Sequence, residues 1–151
     1  MALVIREASL YEIFPAHKAI PEFDSPTSVE DFQQKLEGKE SILVIGAFWD
    51  EQPVGYLIGY RDEGDSFYVW LSGVVKEYRR RGVLKAMMDI VIEWARKQKF
   101  ERVTIKTRNS RRAMLAYLIS NGFLIKGVEP RYSAEETRIW LDLPLHGKQM
   151  P

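Results

Sequence analysis

The stretch from Ser66 to Thr107 constrains the fold more than any other part of the chain. "SFYVWLSGVV" reads as a strand, "KEYRRRG" as a turn, residues 82–97 as a helix and "RVTIKT" as a second strand. Two strands joined through a helix in this way run parallel, with a right-handed crossover. The helix carries Leu84, Met87, Met88, Val91, Trp94 and Ala95 on one broad apolar stripe, which must lie against a sheet.

Around this unit the remaining patterns are antiparallel. Ile42–Trp49, Val54–Arg61 and Ser66–Val75 form a meander joined by "DEQP" and "DEGD", both of hairpin-turn composition. "LVIREA" opens the chain as a strand, and "FLIKGV" and "TRIWLDL" close it as two more. "SLYEIFPAHKAI" is an irregular helix candidate weakened by Pro15, whereas "SPTSVEDFQQKL" is a clearer one. In the latter Thr27 and Glu30 have capping-box spacing, and Val29, Phe32 and Leu36 share a face. Ser110–Asn121 is a further helix, stopped by Gly122. The expected fold is α/β: a mixed, mostly antiparallel seven-stranded sheet with about four helices. Without repeats or linkers, residues 1–151 are expected to form a single domain.

Composition narrows the chemistry. With no cysteine, disulfides, thiolate metal sites and a cysteine nucleophile are excluded. His17 and His146 lie far apart, and no metal is expected; His146, in "PLHGKQMP", reads as solvated. The longest uncharged apolar run, Ile42–Trp49, is too short for a bilayer, and Arg6 interrupts any signal-like start. A cytoplasmic protein without a membrane partner is expected. The net charge of +1 argues against a polyanion such as nucleic acid as partner. Charge is nevertheless uneven. Residues 76–112 hold 13 Lys/Arg against four acids, while residues 21–40 hold six acids against two lysines. That asymmetry points to an anionic ligand at one side and a cationic one at the other.

The turn "YRRRGV" can serve the anionic ligand. A glycine-containing turn entering a helix leaves backbone N–H groups without intrahelical acceptors, and the helix dipole adds positive charge beside them. Arginine side chains contribute charge-assisted hydrogen bonds to phosphate. From these residues alone, a solvated charge run and a nucleic-acid patch stay open beside a phosphate cradle.

"GVVKEYRRRGVLKAMM" resembles the acetyl-coenzyme A motif of the GNAT superfamily of N-acetyltransferases, Arg/Gln-x-x-Gly-x-Gly/Ala after a valine-rich strand end. "NSRRAMLAYLISNGF" is similar to the asparagine, helix and Gly-Phe signature that follows in that family. The order of elements matches across nearly the whole chain. The resemblance implies the GNAT acyl-CoA acyltransferase fold, with two parallel central strands splayed apart. It implies acetyl-CoA as co-substrate, its pyrophosphate on the amides of Arg80, Arg81, Gly82, Val83, Leu84 and Lys85, with Arg79 adding charge. Its pantetheine arm would lie along the backbone of Val74 and Val75 like an added strand. Asn109 resembles the family asparagine that helps hold the pantetheine or the adenine-proximal end; its other expected role is capping the last helix. Leu84 departs from the motif, which has Gly or Ala there, and Lys76 stands where proline is frequent.

The implied reaction moves acetyl from the thioester directly to an amine. The family's frequent glutamate base is absent from "SFYVWLSGVV", which leaves water, an amine of low pKa, or Glu22 and Asp24 of "IPEFDSP". The family's tyrosine acid stands four residues before the Gly of Gly-Phe; here Leu118 holds that place and Tyr117 is offset by one. Tyr68, Trp70 and Ser72 alternate onto one strand face and are expected, with Asp24, to line the acceptor cleft, Phe67, Val69 and Leu71 taking the other face. A small primary amine is favoured over a peptide or protein amine. A non-catalytic acyl-CoA sensor is the alternative, and a homodimer stays open.

Overall fold

The computed structural model describes residues 2–146; Met1 and residues 147–151, the two ends of the expected single domain, lie outside the described residues. Seven strands form one mixed sheet: β1 (Leu3–Glu7), β2 (Glu40–Trp49), β3 (Gln52–Arg61), β4 (Ser66–Val74), β5 (Arg102–Arg108), β6 (Leu124–Glu129) and β7 (Arg138–Pro144). Their order is β1-β2-β3-β4-β5-β7-β6, and only β4 and β5 pair in parallel. Helices α1 (Leu10–Lys18) and α2 (Val29–Leu36) cover one face. Helix α3 (Val83–Lys97) packs on the other, with Leu115 and Leu118 of α4 (Arg112–Ser120) in the same core. The expected architecture is therefore present. Among the described residues, no helix is long and apolar enough to cross a membrane.

Helix α1 continues through Pro15, although that residue cannot donate to the preceding turn. The loss is offset at both levels. Ser9 accepts from the Glu12 amide at 3.1 Å while the Glu12 carboxylate accepts from the Ser9 amide at 2.8 Å, a reciprocal cap. Ile13, Ala16 and His17 bury the inner face. In α2 the cap is Ser28, whose Oγ accepts from the Asp31 amide at 3.1 Å. The expected Thr27–Glu30 pair is one residue early, because Ser28 is the residue that takes the extended backbone (φ −152°) a cap requires.

β4 decides where the site can be. It pairs with β5 only from Ser66↔Arg102 to Val69↔Ile105, yet both strands run on, to Val74 and Arg108. Where they part, β4 carries a bulge: Ile58 of β3 faces Leu71 and Gly59 faces Val69, so Trp70 is an extra residue. The extra residue resets the alternation. Phe67 and Val69 pack in the α3 core, but Trp70 and Leu71 both pack toward α1 and α2. Beyond the bulge, Gly73 lies against Phe23 and Ile20, and Val74 returns to the α3 core. The expectation that Tyr68, Trp70 and Ser72 share a face, with Leu71 opposite, is thus corrected at the bulge.

His17 ties the loop after α1 to this sheet. The Pro26 carbonyl can only accept, so His17 Nε2–H donates to it (2.7 Å) and Nδ1 accepts from the Tyr56 hydroxyl (2.6 Å). Burial holds the imidazole below its ordinary 6.5. The unfolded chain therefore takes a proton that the folded one refuses, and stability falls as pH drops below about 6.5. Between pH 6.5 and 5 the loss should reach at most about 1.4 kcal/mol per pH unit. Thermal unfolding across that range should show the slope in the native chain and lose it in a folded His17→Gln variant.

Candidate active site

The parting of β4 and β5 opens a groove of about 800 Å³ between Ser72–Val74, the α3 entry and α4. At one end lies the arginine-rich turn. Its backbone is unusual: Arg80 (φ 65°) and Gly82 (φ 82°) are both left-handed. Among the described residues, none of the amides of residues 80–85 donates to a backbone carbonyl; the first helical bond runs from the Ala86 amide to the Gly82 carbonyl at 3.0 Å. A Cβ on Gly82 would meet nothing within 4 Å, so the space before these donors is open. Leu84, the departure from the motif, is partly buried against the α3 core and also lines the groove.

The three arginines separate. Arg79 turns inward, its Nε donating to the Val74 carbonyl (2.9 Å) and its Nη2 pairing with Glu22 (3.1 Å). Arg81 lies over the rings of Tyr78 (5.1 Å) and Trp49 (5.6 Å), outside the groove lining. Arg80 and Lys85 line the groove, Lys85 with its i+4 partner Asp89 at 3.3 Å. Val74 lines the groove as well, while Val75 packs on the α1–α2 side and its amide bonds Val54. Asn109 does not cap α4: Arg111 stands at the N-cap position without a side-chain cap bond, and Asn109 donates to the Ala134 carbonyl and accepts from Arg112 at 2.6 Å.

A second pocket, about 380 Å³, lies across the seam and is lined by Asp24, Tyr68, Trp70 and Ser72, all four expected there. Glu22, Phe23, Ser72, Arg111 and Met114 line both cavities and so mark their junction. Ser72 Oγ is buried there without a hydrogen-bond partner among the described residues. Tyr117 lines the larger groove, whereas Leu118, at the family tyrosine's place, is fully buried core. Burial, assisted by Asp89, pushes the Tyr117 phenol up to about 12, so it stays protonated at neutral pH. The hydrogen bond from Arg79 holds Glu22 below the usual carboxylate range. Among the described residues, no group of three or more His, Cys, Asp or Glu could hold a metal ion.

The family model for the acetyltransferase (GNAT) family matches residues 8–123. The chain belongs to that family. It is an acyltransferase fold in which the orphan amides, the open left-handed Gly82 and the split sheet fit acetyl-CoA, so the residues present suit the expected co-substrate. No curated protein matches the chain in sequence. Solved structures that resemble it include the ribosomal-protein-S18-alanine N-acetyltransferase of Escherichia coli (17% identity, TM-score 0.81, covering 98% of this chain and 97% of that one). Ard1 of Thermoplasma volcanium is another (22%, TM-score 0.79, 97% and 100%). A third, assigned as a streptothricin acetyltransferase of Bacillus anthracis, was solved with acetyl coenzyme A (19%, TM-score 0.73, 95% and 99%).

Within this GNAT site, sequence reasoning missed Arg111 and the Arg79–Glu22 bridge. The bridge has no local signal, since its partners stand 57 residues apart. Arg111 was visible only as one of many basic residues.

Gly82 provides the direct test of the cradle. Gly82→Asp should abolish coenzyme A binding by placing a carboxylate before the phosphate donors. The left-handed backbone should cost only about 1 kcal/mol of stability. Titration calorimetry with coenzyme A, beside a thermal melt to show the variant folded, checks both; undiminished affinity would remove the cradle.

Proposed function

We propose that this GNAT chain is an acetyl-CoA-dependent N-acetyltransferase that moves acetyl directly onto a small primary amine. The observation that carries this reading is the row of unpaired amides at residues 80–85, set before an open left-handed glycine at the mouth of the split between β4 and β5. When bound, acetyl-CoA supplies an acetyl thioester, the activated donor.

The chain's own residues account for the rest. The amides of 80–85 bind pyrophosphate, with Arg80 and Lys85 adding charge. The edge of β4 from Trp70 to Gly73, beyond its pairing with β5, offers backbone groups to an extended arm, as an added strand would. Ser72 Oγ offers a hydrogen bond at the junction where donor and acceptor meet. In the transfer, a C–N bond forms as the C–S bond breaks; the amine nitrogen gives up a proton to water, and the thiolate takes one up, so that amide and thiol are the products. Tyr117 presents its O–H to the departing sulfur. A phenol at about 12 is a weaker acid than a thiol at about 8.5, so it stabilises the thiolate by hydrogen bonding before any proton transfer.

Glu22 lines both cavities, but its bond to Arg79 makes it a weak base. Its stronger role in this reading is to hold Arg79 across the Val74 carbonyl. The cations of the acceptor pocket favour the neutral amine over the ammonium and so lower the need for a dedicated base.

Two variants separate these roles. Tyr117→Phe should lower kcat and kcat/KM together by about 10²- to 10⁴-fold, with coenzyme A affinity little changed. Wild-type kcat in a folded variant would free Tyr117 of this role. Glu22→Gln should leave the pH dependence of kcat/KM in place; loss of its acidic limb would instead make Glu22 the base. Thiol release across an amine panel tests the function itself, and tight coenzyme A binding with no turnover would favour a sensor.

A further inference from the structure

The acceptor pocket carries the opposite charge from the one its flanking sequence suggests. Lys35, Lys106, Arg108, Arg111 and Arg138 line it, against Glu22 and Asp24. Glu22 is already committed to Arg79. Arg108 and Arg138 share a single carboxylate, Glu136, at 3.4 and 3.6 Å, and Lys106 lies over the Trp140 ring at 4.8 Å.

Among the described residues Lys35, Lys106 and Arg111 line the pocket without an ion-pair partner, and of these three Arg111 is the one at the junction. It is half-buried at the junction of both cavities, its guanidinium 5.3 Å from the centre of the Phe23 ring. Among the described residues it has no ion-pair partner and no side-chain hydrogen bond. Burial and the neighbouring Arg108, Arg79 and Arg138 all work against its charge, with Glu22 the one opposing influence. A partly desolvated guanidinium with five donors and no acceptor is costly unless a ligand supplies the anion.

We propose that the acceptor is a small amine carrying an oxyanion, carboxylate or phosphate, near its nucleophilic nitrogen, and that Arg111 binds that oxyanion. This rests on the acetyltransferase reading. A volume of about 380 Å³ suits an amino acid, a dipeptide or a phosphorylated amine. The same cations repel a polyamine or an aminoglycoside, whose positive groups would find Asp24 as the one acid not already paired with an arginine at the pocket.

The test uses matched amines: amino acids and dipeptides each beside the C-terminal amide, and phosphoethanolamine beside ethanolamine. Acetylation rates are measured at saturating acetyl-CoA, and binding of each amine to the coenzyme A complex by calorimetry. The anionic member of at least one series should be preferred by about 10- to 100-fold, the scale of a charged hydrogen bond. The carboxylate and phosphate series tell the two oxyanions apart. Arg111→Gln should erase the preference, raising KM for the anionic member far more than for its neutral partner. Arg111→Lys should retain part of it and guards against a folding defect in the glutamine variant. Equal or better use of the neutral amines in every series would overturn the proposal, as would loss of coenzyme A affinity in a folded Arg111→Gln variant. Anionic preference in binding without turnover of any amine would support the site while sinking the acetyltransferase reading.

Discussion

Two neighbouring parallel strands that stop pairing halfway are the constraint on which this molecule depends. A sheet normally satisfies its backbone groups along the full strand length, and leaving several residues of β4 and β5 unpaired is costly unless something else fills the gap. The separation begins where Trp70 is inserted into β4, so a single extra residue both bends the strand and ends the ladder. At the far end of the opening the chain enters α3 through the left-handed Arg80 and Gly82. The gap therefore persists as a groove floored by a continuous core.

Much of this was legible beforehand. The periods of two and 3.6 residues, the glycine-containing turn and the Gly-Phe helix end specify the element order, because burial enforces those patterns directly. What escaped depends on residues whose effect is not compositional. A bulge adds a residue without changing residue types, so the alternation read along β4 held to Val69 and failed from Leu71. The Thr27–Glu30 spacing fits a cap, and only the backbone shows that Ser28 takes that place. At the one-residue offset read from the helix, Leu118 is core and Tyr117 lines the groove, a distinction that packing makes and spacing does not.

The charge pattern shows the same limit at larger scale. Counting acids along residues 21–40 located a negative loop correctly, but a pocket gathers side chains by topology. β5, the start of α4 and β7 deliver Lys106, Arg108, Arg111 and Arg138 to the same wall, and one of the loop's acids is spent on Arg79. Sequence neighbourhood and electrostatic neighbourhood differ here because the sheet order brings β7 beside β5.

The loop between α1 and α2 contributes walls to both cavities, and its polar anchor is the imidazole of His17 on the carbonyl of Pro26. A carbonyl is common to every residue type. Exchanges at the exposed positions 24 and 25 can therefore rewrite what the pocket accepts while the tether stays as it is. Selectivity and foldability are inherited through different atoms of the same loop, which leaves this scaffold free to change substrate by small surface steps.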